Sequence, residues 1–146
     1  MELPPRFWIK INKDGPIPDR CPDRGRCWIW TAAQRNGYGH FTVQENKKSR
    51  QRYPHIMIWE SLHGSYPKGF QIDHLCYNRL CVNPAHMEVV TQKVNILRGE
   101  SGPAKNARKT HCPQGHPYSE ENTIYVKTRP TWRKCRICQR RTQRAH

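Results

Sequence analysis

Seven cysteines occur in this chain of 146 residues, and most stand at short intervals from one another and from histidines. Cys76, Cys81 and His86 are spaced five residues apart, with Cys27 upstream at the head of Cys27-Trp28-Ile29-Trp30. Farther along, Cys112-Pro113-Gln114-Gly115-His116 precedes Cys135-Arg136-Ile137-Cys138, a knuckle with two residues between its thiols. Thiolates and imidazoles at such spacings are the donors of tetrahedral zinc. The constraint matters because apolar residues make up only 35% of the chain and aromatics 10%. So thin a supply of core material leaves a fold of this size in need of metal sites or self-association. Monomer and homodimer both stay open.

Whether those thiols are ligands or disulfides depends on the compartment. No stretch approaches the roughly 20 apolar residues of a membrane span. The start, Met1-Glu2-Leu3-Pro4-Pro5, lacks the apolar centre of a secretion signal. The expected setting is a reducing cytoplasm, where clustered cysteines hold metal. The first expected set is Cys27, Cys76, Cys81 and His86, which ties an early strand to a later hairpin. An alternative replaces His86 with Cys21, from a Pro/Arg-rich segment, and leaves His86 for a catalytic cation or a phosphate. The second set is Cys112, His116, Cys135 and Cys138, with His111 as a spare neighbour. Between its halves, Thr123-Ile124-Tyr125-Val126 and Thr131-Trp132-Arg133 alternate like a hairpin turned at Pro130. That reads as a zinc ribbon, and the chain as a whole as a holder of about two structural zinc ions.

Lys and Arg number 26 against 11 Asp and Glu, a net charge of +15. A polyanion is the simplest partner for such a surplus, because each basic side chain that meets a phosphate releases a counterion. A membrane surface or an acidic protein would also take it, but the sequence offers no amphipathic helix with a basic face and no membrane partner is expected. From Asn122 to the end there is no Asp or Glu. Over the same stretch Lys127, Arg129, Arg133, Lys134, Arg136, Arg140, Arg141 and Arg144 are basic, with Tyr125 and Trp132 interleaved. A grip on the DNA backbone is expected there, through Arg133, Lys134, Arg136, Arg140, Arg141 and Arg144.

Residues 1–25, rich in Pro and charge, read as an extended arm with a short apolar or helical patch at Phe7-Trp8-Ile9. The run from Cys27 to Trp30 fits a strand, and Asn36-Gly37 turns the chain into a second, Tyr38 to Val43. A polar loop from Glu45 to Arg52 follows. Ile56, Trp59 and Leu62 then fall near one face of a helix that Pro54 opens and Gly64 stops. Gln71-Ile72-Asp73-His74-Leu75 reads as a strand and Glu88-Val89-Val90-Thr91 as its return, with a helix from Gln92 carrying Asn95. Residues 99–110 read as a linker.

Asp73 and His74 end the first strand of that hairpin, Asn83 lies in its loop and Asn95 on the helix after it. Phosphodiester hydrolysis asks for a base to activate water, a hard cation to take up leaving-group charge, and oxygen ligands to hold the cation. The ordered set Ile72-Asp73-His74-Leu75-Cys76, Cys81-Val82-Asn83-Pro84-Ala85-His86-Met87, Thr91 and Asn95, preceded by Tyr38-Gly39 and by His55 four residues before Trp59, resembles the HNH endonuclease family often carried by bacteriophages and found in homing endonucleases. The resemblance covers roughly residues 26–97. It implies a ββα-metal (His-Me finger) core. It also implies His74 as general base, Asp73 and Asn95 as ligands of catalytic Mg²⁺ or Mn²⁺, and Asn83 as the asparagine holding the histidine's loop. His55 would meet a phosphate near the site or simply pack.

The expectation is therefore an α+β protein in four parts. Residues 1–25 form the arm and 26–98 a zinc-stabilised nuclease core with extra N-terminal strands. Residues 99–110 form the linker and 111–146 a basic zinc module that contacts DNA. The expected activity is metal-dependent cleavage of DNA, most simply duplex, in the cytoplasm of a bacterial host if phage-encoded. Its rival is a catalytically silent, zinc-containing DNA-binding protein, which would need none of Asp73, His74 and Asn95.

Overall fold

Phe7 anchors the start of the chain. The computed structural model describes residues 2–126 and 128–144, without the side chains of residues 129–131 and 144. In it Pro5 opens a single helical turn, α1 (Pro5–Trp8), that drives Phe7 fully out of solvent. The expected extended arm thus carries its short helical patch into the core. β1 (Ile11–Asn12) pairs antiparallel with β2 (Ile29–Trp30), and the rings of Phe7, Trp30 and Phe41 meet at centroid distances of 5.1–5.9 Å. Leu3, Met57, Ile58, Val82 and Met87 complete this cluster. Truncating a buried aromatic of this kind to alanine costs about 3–5 kcal/mol, so a small core leans heavily on its three rings.

Two tight turns shape the next stretch. Asn36 and Gly37, at φ 53° and 79°, join β3 (Gln34–Arg35) to β4 (Tyr38–Gly39). Asn46 and Lys47, at φ 50° and 60°, join β5 (Phe41–Glu45) to β6 (Lys48–Arg52). Two successive residues in the left-handed region give a turn whose twist matches its strands. The single strand expected from Tyr38 to Val43 breaks at His40, whose N–H turns away to the Ala33 carbonyl. Gly39 sits so close to Trp30 that a Cβ there would lie 2.5 Å from the indole. The expected polar loop after Glu45 is strand β6, paired residue for residue from Phe41↔Arg52 to Glu45↔Lys48. It carries no apolar residue, so no period-two pattern announces it. Its register is set by Phe41 and Val43 of β5, which face the core.

α2 (Pro54–His63) begins and ends as the sequence predicts, with Gly64 at φ 77° after its last turn. β7 (Phe70–His74) and β8 (Met87–Thr91) form an antiparallel hairpin in the register Phe70↔Thr91 to His74↔Met87. Its long loop is pinned to β2, since Trp30 donates to the Leu80 carbonyl and Val82 to that of Trp28.

The chain divides into two units, residues 1–91 and 92–146. The second opens with α3 (Gln92–Arg98), and the expected linker contains α4 (Gly102–Arg108), capped by the Ser101 hydroxyl with Ala104 fully buried. β9 (Thr123–Val126) pairs with β10 (Arg129–Cys135), and α5 (Arg136–Arg144) follows without a break. Arg129 pairs with Val126, so the chain reverses before Pro130 rather than at it. α4 packs on β10, and the Arg133 guanidinium explains why: it donates to the carbonyls of Asn106 and Lys109 while lying 4.4 Å over the Tyr118 ring. No helix among the described residues is long and apolar enough to cross a membrane. The protein is a mixed α/β fold built around two Cys/His clusters.

Candidate active site and metal centres

His74 closes β7 at 7% exposure. Its Nε2 lies 3.1 Å from the Cys81 carbonyl, which can only accept, so Nε2 carries the proton and Nδ1 keeps the lone pair of the neutral ring. The His55 ring of α2 packs edge-on against it at 4.7 Å, with Tyr38 at 6.2 Å. Burial holds the His74 imidazole below its ordinary value, against the opposing pull of the Cys81 carbonyl and of Asp73. Burial beside His74 takes His55 down to about 3. Both rings are therefore neutral near pH 7, the state a proton acceptor needs.

His55 was a candidate phosphate contact. At 6% exposure it packs among Tyr38, Tyr53 and His74, the other of the two roles the sequence left open, and braces the His74 ring. Arg79 had no sequence signal. Its guanidinium lies 5.2 Å over the Tyr38 ring, exposed, and near enough to His74 to help hold that imidazole down. Asn83 ties down the loop between β7 and β8: its amide donates to the Arg26 carbonyl at 2.8 Å and its oxygen accepts from Ala85 N–H at 3.0 Å. Neither bond touches His74, whose direct partner is backbone. Asp73 precedes it on β7, paired with Glu88. Asn95 lies on α3, which begins at the residue after β8 ends but belongs to the second unit.

The ligand atoms of Cys27, Cys76, Cys81 and His86 all lie within 4.8 Å of one another, and Cys21 is not among them. His86 Nδ1 stands 3.6 Å from Cys27 Sγ and 3.4 Å from Cys81 Sγ. A tetrahedral zinc ion with bonds of about 2.3 Å to sulfur and 2.0–2.1 Å to nitrogen would separate those atoms by about 3.6 Å. The other ring nitrogen of His86 reaches the Arg24 carbonyl at 3.2 Å, which fixes the tautomer that presents Nδ1. Burial and the neighbouring Cys76 push the Cys27 thiol up to about 11, and a hydrogen bond with Cys81, then burial, raises Cys76 as well. Thiols so crowded resist ionising together, and a divalent cation relieves exactly that cost. The residues fit a zinc ion, and His86 is committed to this cluster.

The second cluster repeats the chemistry with Cys112, His116, Cys135 and Cys138. His116 Nδ1 lies 3.4, 3.7 and 3.3 Å from the three sulfurs in that order, and Cys112 and Cys138 are 3.7 Å apart. Gly115 at φ 79° makes the turn that folds His116 back on Cys112. His111 stands aside, bonded to the Thr110 hydroxyl. Of the basic residues expected on DNA, Lys134, Arg140 and Arg141 are exposed, and Arg136, exposed too, donates through Nε to the Glu121 carbonyl. Arg133, half-buried, spends one guanidinium nitrogen on the carbonyls of Asn106 and Lys109 and so braces the fold. Lys127 and the side chains of Arg129 and Arg144 lie outside the described residues.

Residues 52–96 match a family model described as HNH endonuclease. Two phage proteins are similar to the chain. The "Uncharacterized gene 5.3 protein" of Enterobacteria phage T3 is 29% identical over 76 residues, covering 49% of this chain and 75% of that protein. "Protein 2.8" of Escherichia phage T7 is 29% identical over 101 residues, covering 68% of this chain and 63% of that protein. No solved structure matches. The matched segment runs from the end of β6 through α2, the β7–β8 hairpin and the turn of α3 that bears Asn95, and so contains every candidate catalytic residue: residues 52–96 match the HNH endonuclease family model, and two similar proteins come from phages.

Proposed function

We propose that the protein is a metal-dependent DNA endonuclease with His74 as its general base. The observation that carries this reading is the buried His74, held through Nε2 by the Cys81 carbonyl so that Nδ1 is left as the proton acceptor. Nδ1 takes a proton from water, the water oxygen attacks phosphorus as the P–O3′ bond breaks, and the departing 3′ oxygen takes up a proton from solvent, giving 5′-phosphate and 3′-hydroxyl ends. A divalent cation, Mg²⁺ or Mn²⁺, supplies a sink for the charge that develops on the leaving oxygen. Asp73 and Asn95 would hold it in a ββα-metal arrangement, as oxygen donors suited to a hard cation. His55 and Tyr38 keep the imidazole ring in place, and Asn83 fixes the loop above it. The two Cys/His clusters hold structural zinc, and Lys134, Arg140 and Arg141 meet the backbone of duplex DNA.

A supercoiled plasmid with added Mg²⁺ or Mn²⁺ tests this directly. Nicked or linear product is expected from the parent, and His74→Ala should lower turnover by about 10²–10⁴-fold with folding and DNA affinity kept. Asp73→Ala and Asn95→Ala should each raise the Mg²⁺ concentration needed. An uncut plasmid bound tightly by the parent would instead establish the catalytically silent DNA-binding protein.

A further inference from the structure

The β5–β6 hairpin has two unlike faces. Phe41, Val43 and Glu45 share one with Lys48, Arg50 and Arg52, their cross-strand partners. Phe41 and Val43 of that face pack on the core, Lys48 and Arg50 stay exposed, and its single carboxylate, Glu45, is paired with Arg50 and Arg52 at 3.6 and 3.7 Å. The opposite face is Thr42, Gln44, Ser49 and Gln51, all exposed and all uncharged hydrogen-bonding side chains. Gln44 donates to the Ser49 hydroxyl at 2.7 Å, which orients its amide. Exposed Lys47 and Lys48 stand at the tip.

We infer that this face reads base pairs in the major groove of the DNA. The inference rests on duplex DNA being the substrate. A two-stranded ribbon fits the groove, which is about 12 Å wide. The strand rise of about 3.4 Å matches the base-pair rise, so side chains two residues apart fall two base pairs apart. Amides pair with adenine through two bonds, while hydroxyls serve several bases and the threonine methyl suits thymine. No carboxylate shares the face to repel phosphate, and Lys47 and Lys48 are placed to meet the strands beside the groove. A ribbon merely exposed to solvent does not need its charges sorted from its neutral polar groups in this way. The hairpin covers about five base pairs and gives the nuclease unit its own sequence preference.

The test is selection of bound duplexes from a random library by the full-length protein without added Mg²⁺, alongside plasmid cleavage with it. The parent should enrich a block of about four or five base pairs. Replacing Thr42, Gln44, Ser49 and Gln51 together with alanine should flatten that preference while plasmid cleavage persists. Lys47→Ala with Lys48→Ala should weaken binding to all sequences alike and make the salt slope shallower by about two units. Gln44→Glu should move the preference at one position from adenine toward cytosine, a gain that misfolding cannot imitate. No enriched block from the parent overturns the proposal, as does a preference that survives the fourfold change or an unaltered base at the Gln44→Glu position. Selectivity that follows the four residues in a protein that never cuts would sink the nuclease reading and leave the ribbon standing. Cutting without dependence on them does the reverse.

Discussion

The two Cys/His clusters have the same donors and different neighbours. In the first, Cys81 lends its sulfur to the cluster and its carbonyl to His74, so the metal centre and the proposed base are one residue apart in cause. Its ligands span positions 27 to 86 and tie β2 to the β7–β8 hairpin. In the second, Cys135 touches the Asn122 amide, and Asn122 in turn accepts from the Ile137 N–H at the start of α5. That cluster organises a hairpin and a basic helix, and among the described residues no imidazole beyond its own ligand His116 takes part in it. Equal ligand sets thus have unequal surroundings: one cluster adjoins the proposed base, the other a hairpin and a basic helix.

The largest effect that separates them should come from paired thiol substitutions. Cys81→Ser keeps the backbone carbonyl but removes a ligand, and should lose one metal ion and roughly 10–100-fold of cleavage. Cys135→Ser should also lose one metal ion, with turnover at saturating DNA unchanged and affinity lowered. Elemental analysis and plasmid cleavage on the same samples check both; equal loss of turnover would erase the distinction. Next in size, Arg140→Ala with Arg141→Ala should make the salt dependence of DNA affinity shallower by about two log units per log unit, at roughly 0.9 per phosphate contact. An unchanged slope would turn α5 into a protein-facing helix.

Smaller effects concern the packing around His74. The folded His55 ring stays neutral down to about 3, whereas in the unfolded chain it takes a proton near 6.5. Between those values the unfolded state binds more protons, so stability falls as the solution is acidified, by at most about 1.4 kcal/mol per pH unit from this group. Urea midpoints at pH 7 and pH 5 should diverge less in His55→Gln than in the parent. Asn83→Ala, which removes the cap on Ala85 and the bond to Arg26, should cost about 0.5–2 kcal/mol in thermal or urea unfolding. It should leave the metal content at its parent value.

Much of the site was legible because the chemistry lies in side chains at fixed spacing. The eight clustered donors and the β7–β8 hairpin that carries the candidates Asp73 and His74 could be read from residue type and interval. What escaped depended on backbone or on a distant partner. The Cys81 carbonyl that holds His74 is present whatever the residue, so no motif encodes it. β6 consists of polar residues that look like a loop until Phe41 and Val43 commit β5 to the core. α4 looked like a linker because its one buried side chain is an alanine, and the arginine that fastens it lies 27 residues away. Arg133 teaches the same caution about charge: a net +15 counts braces and grips alike.

The double use of Cys81 also limits how this site can be altered. Sulfur and carbonyl sit on one residue and face different partners, so shifting the backbone to suit another metal also re-aims the imidazole. An engineer seeking cobalt or cadmium tolerance here would be selecting, in the same step, on the aim of the proposed base. The two traits are inherited as one.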